Sequence, residues 1–267
     1  NFSSPAGDSI IRWNVKSNIL DDIWVESASL RTKLIAVNVA GNANVSSNII
    51  GSTTNLNSIR VGGQIKNAIG IGGYYGFFNT GIVGNNIVDS NIISNIELQS
   101  TGNTSFNAIE FVCDSAYTKI SCQNNYIQNI QTAGHSDVGQ TLAHQALLNG
   151  IVITGGEAEI ANNTIAGLQS PATNGWHPMI NGIVLYGDHS KISNNRIHNL
   201  TNRAITNIGS PIIFGIYATS FDNLIANNSV ALNNSLYTNA VEISGIVMST
   251  SGKNRIFHNS VSISGSS

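Results

Sequence analysis

The fold is decided by a short stretch that recurs along the chain. Its clearest copies are Glu159-Ile160-Ala161-Asn162-Asn163-Thr164-Ile165 and Lys191-Ile192-Ser193-Asn194-Asn195-Arg196-Ile197. Within each copy the frame reads apolar, any, polar, Asn, any, apolar. Counting six further copies, the constant asparagines are Asn18, Asn48, Asn91, Asn125, Asn163, Asn195, Asn228 and Asn259. Their steps of 30, 43, 34, 38, 32, 33 and 31 residues indicate a stacked repeat architecture.

A second element keeps pace with the first. Asn149-Gly150-Ile151-Val152-Ile153 and Asn181-Gly182-Ile183-Val184-Leu185 each precede the asparagine motif by about nine residues. Side chains alternate in a strand, so the isoleucines of each copy face one way and the residue between them faces the other. A unit with one apolar face must stack on its neighbours, strand beside parallel strand. The pattern predicts an all-β solenoid of about eight coils, forming one domain over residues 1–267.

The constant asparagine is expected to occupy the tight corner between two strands. Asn tolerates the left-handed backbone region that such a corner needs at less cost than most residues. Stacked one above another, these side chains are also expected to hydrogen-bond in a ladder along the rod, as amides do in cross-β stacks.

Composition agrees with this architecture and excludes other classes. The chain has 38 Asn, 38 Ile and 26 Gly against 4 Pro, with 10% charged residues and a net charge of −2. Without a basic surplus, a nucleic-acid partner is not expected. No apolar run approaches the roughly 18 to 20 residues that a membrane span requires. Because the chain begins without Met and without a signal peptide, we expect a processed or excised segment of a longer parent chain.

The repeat resembles the right-handed parallel β-helix of the pectate-lyase-like superfamily, with its Gly-Ile strand, short turn, Ile-x-Asn-Asn-x-Ile segment and asparagine ladder. The resemblance covers the chain from about Val15 to Ile263. It implies three sheets: the Gly-Ile strands form the first, the Ile-x-Asn segments the second, and the strands after Asn the third. It also implies that the asparagine corner has constant length, whereas the other two corners carry the inserts.

In that family, activity lies in the groove outside the first sheet. Alternation predicts the outward residues of this face: Glu110, Val112, Val152, Thr154, Val184, Tyr186, Tyr217, Thr219, Val247 and Ser249. Glu110 is the charged member, whereas a lyase needs a base and a carboxylate cluster and a hydrolase needs paired carboxylates. An enzyme would use acids from the set Glu110, Asp114, Glu157 and Asp188.

Metal ligands are considered at two places. Asp114, Glu157, Asp188 and Asp222 fall at similar positions in successive coils, so calcium is a possible ligand; the alternative is a row of exposed turn residues. His135, Asp137 and His144 lie in the longest spacer and are candidate transition-metal ligands, with a solvated loop as the alternative. No cofactor is otherwise expected.

Few aromatic residues are present, so their positions matter. Trp176 lies in the insert before Gly182, while Tyr186 and Tyr217 face outward on adjacent coils. Together they form a candidate platform on which a sugar ring can stack, the alternative being that they fold down to cover the sheet. Cys113 and Cys122 are expected to point inward on either side of one corner, either as a disulfide or as two buried thiols.

The leading hypothesis is a non-catalytic extracellular solenoid: a surface or adhesin segment, secreted or at the bacterial cell surface, that binds polysaccharide or a cell-surface glycan. The alternative is a polysaccharide lyase or glycoside hydrolase acting in the groove of the first sheet. A third hypothesis is a phage or viral tail fibre, which the sequence does not distinguish from the first because the same repeats and packing would serve both.

Overall fold

A computed structural model describes thirteen segments of the chain. They are residues 2–3, 13–25, 35–40, 42–61, 67–72, 85–99, 105–113, 118–132, 147–170, 179–202, 212–233, 241–250 and 252–265. All regular structure in these segments is β, which confirms the all-β prediction. Among them there is accordingly no helix of the length and hydropathy that would cross a membrane.

The strands form three parallel sheets. The first sheet contains β1 (Phe2–Ser3), β5 (Ile35–Ala40), β9 (Asn67–Gly72), β12 (Ser105–Val112), β15 (Leu147–Thr154), β18 (Met179–Leu185), β22 (Ile212–Ala218) and β25 (Glu242–Met248). The second contains β2 (Trp13–Lys16), β6 (Ala43–Ser46), β10 (Asn85–Asp89), β13 (Lys119–Gln123), β16 (Glu157–Ala161), β19 (Lys191–Ser193), β23 (Leu224–Ala226) and β26 (Arg255–Phe257). The third contains β3 (Ile19–Leu20), β4 (Ile23–Val25), β7 (Ile49–Ile50), β8 (Ile59–Val61), β11 (Ile92–Leu98), β14 (Tyr126–Thr132), β17 (Thr164–Ser170), β20 (Arg196–His198), β21 (Thr201–Asn202), β24 (Ser229–Asn233) and β27 (Ser260–Ser264).

Each coil of the chain visits the first, second and third sheet in turn, as predicted for a parallel β-helix. A two-residue turn joins each strand of the second sheet to the strand of the third sheet that follows it. Asn162 and Asn163, for example, lie between β16 and β17. The other two corners vary in length. Because one coil pairs with the next residue by residue, the inward rows of Ile, Val and Leu merge into one continuous apolar core.

The regular part of the stack is shorter than the repeats predict. In the first coil Trp13 and Val15 are only partly buried, and in the last coil Ile256 and Val261 are about half exposed. In the second coil the third-sheet strand is interrupted by residues 51–58. About five regular coils remain rather than eight. The predicted number of coils was too high because the asparagine motif marks only a corner. Such a corner also forms in a coil that is open or interrupted.

The asparagine ladder is present along the whole stack. From Asn18 to Asn228, each side-chain Nδ2 donates to Oδ1 of the asparagine in the next coil at 2.9–3.0 Å. Each backbone N–H donates to the same oxygen at 2.9–3.0 Å. From Asn48 onward, Nδ2 also donates to a main-chain carbonyl of the preceding coil. From Asn48 to Asn228 the ladder side chains are at most 1% exposed, so these amides satisfy one another inside the rod, where water does not reach.

The left-handed residue of the corner is not the ladder asparagine, so that prediction was wrong. Positive φ values of 55–58° belong to the residue just before it: Ser17, Ser47, Ser90, Asn124, Asn162, Asn194, Asn227 and His258. The ladder asparagine does not have a positive φ, and its side-chain amide makes the hydrogen bonds between coils. The two tasks of the corner are thus divided between neighbouring residues.

Both cysteines are free thiols in the structure. Cys122 is fully buried in the core row of the second sheet, and Cys113 is partly buried against the same core. Burial, with a smaller contribution from Asp89, holds the pKa of the Cys122 thiol far above its usual range. Cys122 therefore behaves as a small apolar side chain.

Candidate functional site

The outer face of the first sheet is built around one row of side chains in register. Glu110, Val152, Val184 and Tyr217 occupy equivalent positions on β12, β15, β18 and β22. Their neighbours in each strand, such as Ile151 and Ile153 beside Val152, belong to the core. Val152 and Val184 are buried yet stand outside that core cluster. The two valines in the middle of the row are therefore covered, and Glu110 at one end and Tyr217 at the other are partly exposed.

A second amide ladder runs beside this row. Asn181 Nδ2 donates to Asn149 Oδ1 and Asn149 Nδ2 donates to Asn107 Oδ1, both at 2.7 Å. Asn107 Nδ2 in turn donates to Glu110 Oε1 at 2.9 Å. Sequence reasoning missed this ladder, although its signal is visible: an asparagine precedes the Gly-Ile or Ala-Ile pair in each of these coils. The carboxylate of Glu110 accepts the last donor and ends the chain of amides.

Two stacked rings, those of Phe214 and Tyr217, lie at the other end of this second ladder and are called the aromatic step below. Phe214 occupies the position above Asn181, so no amide continues the row. Asn181 Oδ1 is buried and has no hydrogen-bond partner among the residues that the structure describes. The Phe214 ring stacks on Tyr217 with centroids 5.3 Å apart and an interplanar angle of 9°. The second ladder thus ends, within the described residues, where the buried Phe214 lies opposite Asn181.

Tyr186 lies beside this step and is 48% exposed. Partial burial raises the pKa of Tyr186, and Tyr217 adds to the rise. Of the two tyrosines that were predicted to face outward on adjacent coils, Tyr186 directly follows β18 and Tyr217 lies on the neighbouring strand β22. Trp176, the third member of the predicted platform, lies outside the described residues.

The candidate catalytic acids are spread over different parts of the solenoid. Glu110 lies on the first sheet, whereas Glu157 begins β16 on the second. Asp188 lies in the corner between these sheets and accepts the Phe221 N–H at 3.2 Å. Asp114 lies outside the described residues. Glu110 and Glu157 consequently face different sides of the rod.

Sequence reasoning did not combine a second group of charged side chains, which meets on the outer face of the second sheet. A cleft of about 480 Å³ is lined there by Asn85, Asn86, Ile87, Lys119, Ile120, Ser121, Glu157, Ala158, Glu159, His189 and Lys191. Lys191 Nζ lies 3.5 Å from Glu159 Oε1, and Lys119 is the strand neighbour of Glu157. Opposite charges on neighbouring strands contribute about 0.2–1 kcal/mol per pair. These two pairs of opposite charge therefore explain Lys119, Glu157, Glu159 and Lys191 as residues that stabilise the sheet.

The metal candidates receive little support from their surroundings. Asp222 Oδ2 lies 3.6 Å from His189 Nε2, and both side chains are exposed. In the part of the chain that the structure describes, no three His, Cys, Asp or Glu side chains converge. His135, Asp137 and His144 lie outside that part.

The fold and the two ladders are the features on which any relationship to other proteins must rest. A parallel β-helix with stacked asparagines is shared by proteins of very different activity, so it fixes architecture and not chemistry. The chain matches no protein-family model, no curated protein and no solved structure.

Proposed function

We propose that the chain is a non-catalytic extracellular β-solenoid that binds carbohydrate on the outer face of its first sheet. The observation that carries this proposal is the aromatic step: the Tyr217 ring stacks on the buried Phe214 ring, and the half-exposed Tyr186 follows the neighbouring strand β18. Sugar rings offer apolar C–H faces that stack on aromatic rings, and hydroxyl groups that amides and phenols bind.

The charge of the face supports a neutral ligand. Glu110 is the charged member of the row that runs to Tyr217, and its carboxylate already accepts a hydrogen bond from Asn107. An acidic polysaccharide would need lysine or arginine beside the aromatic rings. We therefore expect neutral sugars to bind more tightly than uronate-containing ones.

The proposal includes a location and an ancestry. We place the chain outside a bacterial cell or on its surface, as an adhesin-like segment, and assign it to the right-handed pectate-lyase-like β-helices. A low-charge outer surface rich in Asn, Ser and Thr suits contact with glycans, and the repeat motif supports the assignment.

A glycan array followed by titration with the best oligosaccharide tests the binding face. Tyr186→Ala and Tyr217→Ala are each expected to weaken binding about two- to tenfold, since an aromatic stacking contact contributes roughly 0.5–1.5 kcal/mol. Tyr126→Ala is the matched control, because Tyr126 is 41% exposed but lies on the third sheet. Equal affinities of all three variants, or a wild-type protein that binds no glycan, would overturn the proposal.

The same titration separates binding from catalysis. After long incubation, the mass of the bound oligosaccharide is expected to be unchanged. Cleavage, whether by elimination or by hydrolysis, would replace the proposal with the enzyme hypothesis, and Glu110→Gln would then show whether the carboxylate of the first-sheet face takes part.

A further inference from the structure

The outer face of the second sheet carries an ordered pattern of charges in its middle coils. The outward side chains of β13, β16, β19 and β23, with the residues just before β19 and β23, stand in two rows along the stack. One row holds Lys119, Glu157, His189 and Asp222, and the row beside it holds Ser121, Glu159, Lys191 and Leu224. With His189 protonated, the sign of the charge changes at every step of the first row. It also changes between Glu159 and Lys191 in the second row.

This pattern is complementary to its own reverse. A two-fold axis that crosses the rod between β16 and β19 turns a second copy so that its β19 lies over β16 and its β23 lies over β13. The facing pairs are then Glu159 with the partner's Lys191, Glu157 with the partner's His189, and Lys119 with the partner's Asp222. Because the axis repeats each contact, six such pairs form, and no like charges face one another at these eight positions.

The charges disfavour the other two-fold arrangement, in which the two rods run parallel. An axis along the rod places each strand over the same strand of the partner subunit and exchanges the two rows. Glu157 then faces the partner's Glu159, and His189 faces the partner's Lys191. Like charges that face each other across an interface are costly, so the charge pattern selects the antiparallel arrangement.

The relief of the face agrees with the same axis. The cleft of about 480 Å³ on this sheet includes Ser121, the short side chain that lies between Ile87 and Glu159 in its row. In the antiparallel arrangement Ser121 faces the partner's Leu224, a partly exposed apolar side chain. A long side chain of one copy therefore lies opposite a short side chain of the other, once on each side of the axis.

We propose that the outer face of the second sheet binds the same face of a second copy of this chain, as an antiparallel dimer. Within one chain Lys191 Nζ lies 3.5 Å from Glu159 Oε1, and the two side chains are 50% and 49% exposed. Each charge therefore has open surface with which to contact an opposite charge of the partner subunit. The contact joins identical patches, so it closes after two copies. It spans three coil steps, about 14 Å, so the interface is small and the dimer is expected to be weak.

Analytical ultracentrifugation at low and high salt tests the proposal. At an ionic strength of about 0.01 M, the wild-type mass is expected to rise with concentration from the 28.2 kDa of one chain to a plateau at twice that value. At about 1 M salt, which screens charges beyond about 3 Å, the mass should stay at that of the monomer. Glu159→Lys and Lys191→Glu should each be monomeric, because each variant places like charges across the axis. Arg196→Glu, at an exposed residue of the third sheet, is the control that should dimerise like the wild type.

Mixing the two variants separates the interface from effects within one chain. In an equimolar mixture of Glu159→Lys and Lys191→Glu, each reversed residue faces an opposite charge on the other variant, so a species of twice the monomer mass should return. The double variant Glu159→Lys/Lys191→Glu keeps an opposite pair within the chain and should dimerise by itself.

Circular dichroism and melting temperature establish that each variant is folded before its mass is interpreted. A wild-type protein that stays monomeric at every concentration in low salt would overturn the proposal. So would an oligomer that grows beyond two copies, or a mixture of the two single variants that stays monomeric. Loss of glycan binding leaves this result unaffected, since Tyr217 lies on the first sheet and Tyr186 directly follows a strand of that sheet.

Discussion

Replacing Asn163 by alanine removes one step from the middle of the main ladder. The Asn163 side chain is 1% exposed and makes four hydrogen bonds. Its Oδ1 accepts from the N–H and Nδ2 of Asn125 at 3.0 Å, and its Nδ2 donates to Asn195 Oδ1 and to the Cys122 carbonyl at 2.9 Å. Alanine leaves the two Asn125 donors without that acceptor in a place that water does not reach.

The expected loss of stability is large. At a net value of about 1 kcal/mol per buried hydrogen bond, four bonds amount to about 4 kcal/mol. A typical domain is stable by only about 5–15 kcal/mol, so the change is a substantial fraction of the total. Because each coil contacts only its neighbours, the loss should also be local, weakening the coils on either side of Asn163 first.

Guanidinium unfolding followed by circular dichroism measures the total, and hydrogen exchange of the native protein measures the location. Asn259→Ala is the matched control, because it removes the same residue type from the partly exposed end of the ladder. Water can replace its bonds, so a cost of about 1 kcal/mol or less is expected. If Asn163→Ala costs no more than Asn259→Ala, the ladder does not stabilise the rod and the reasoning fails.

Two further changes probe close packing and buried chemistry. A methyl group at Gly150 would lie 2.5 Å from the Gly182 carbonyl oxygen, so Gly150→Ala should destabilise the protein by about 2 kcal/mol and lower Tm by several degrees. Gly265→Ala is the control, because a methyl group there meets open space, and it should leave Tm unchanged. Because burial raises the pKa of the Cys122 thiol, a thiol reagent should modify Cys122 only after unfolding, and mass spectrometry of the native protein should show no disulfide; rapid native labelling of Cys122 would refute its burial.

The repeat frame predicted the ladder because the ladder needs one residue type. A side chain that accepts two hydrogen bonds and donates two along the stack must be an amide of the right length, because a hydroxyl has only one hydrogen to donate, so Asn recurs in every coil. The left-handed position before it needs only a residue that tolerates that conformation, and Ser47, Asn162 and His258 all serve. The sequence prediction assigned both tasks to the constant residue, although constancy here reflects hydrogen bonding and not backbone conformation.

The candidate site was less predictable, because its parts meet through the register of different coils. Tyr186 and Tyr217 were found by alternation within single strands, a local property. The bond between Asn107 and Glu110, and the stacking of Phe214 on Tyr217, depend on which direction each side chain takes at the surface. The meeting of charges such as Lys191 and Glu159 depends on which coils are neighbours. These outcomes follow from packing that no single strand encodes.

The central claim is that one row of residues runs in register from the first coil to the last, and distances between spin labels test it most directly. In a background without native cysteines, labels at Asn14 and Lys191 are separated by five coil steps, and labels at Asn14 and Arg255 by seven. At about 4.8 Å per step, the expected backbone separations are about 24 Å and about 34 Å. Distances that grow by this increment with each coil would support the stack, whereas two equal distances, or one shorter for the pair farther apart in sequence, would contradict it.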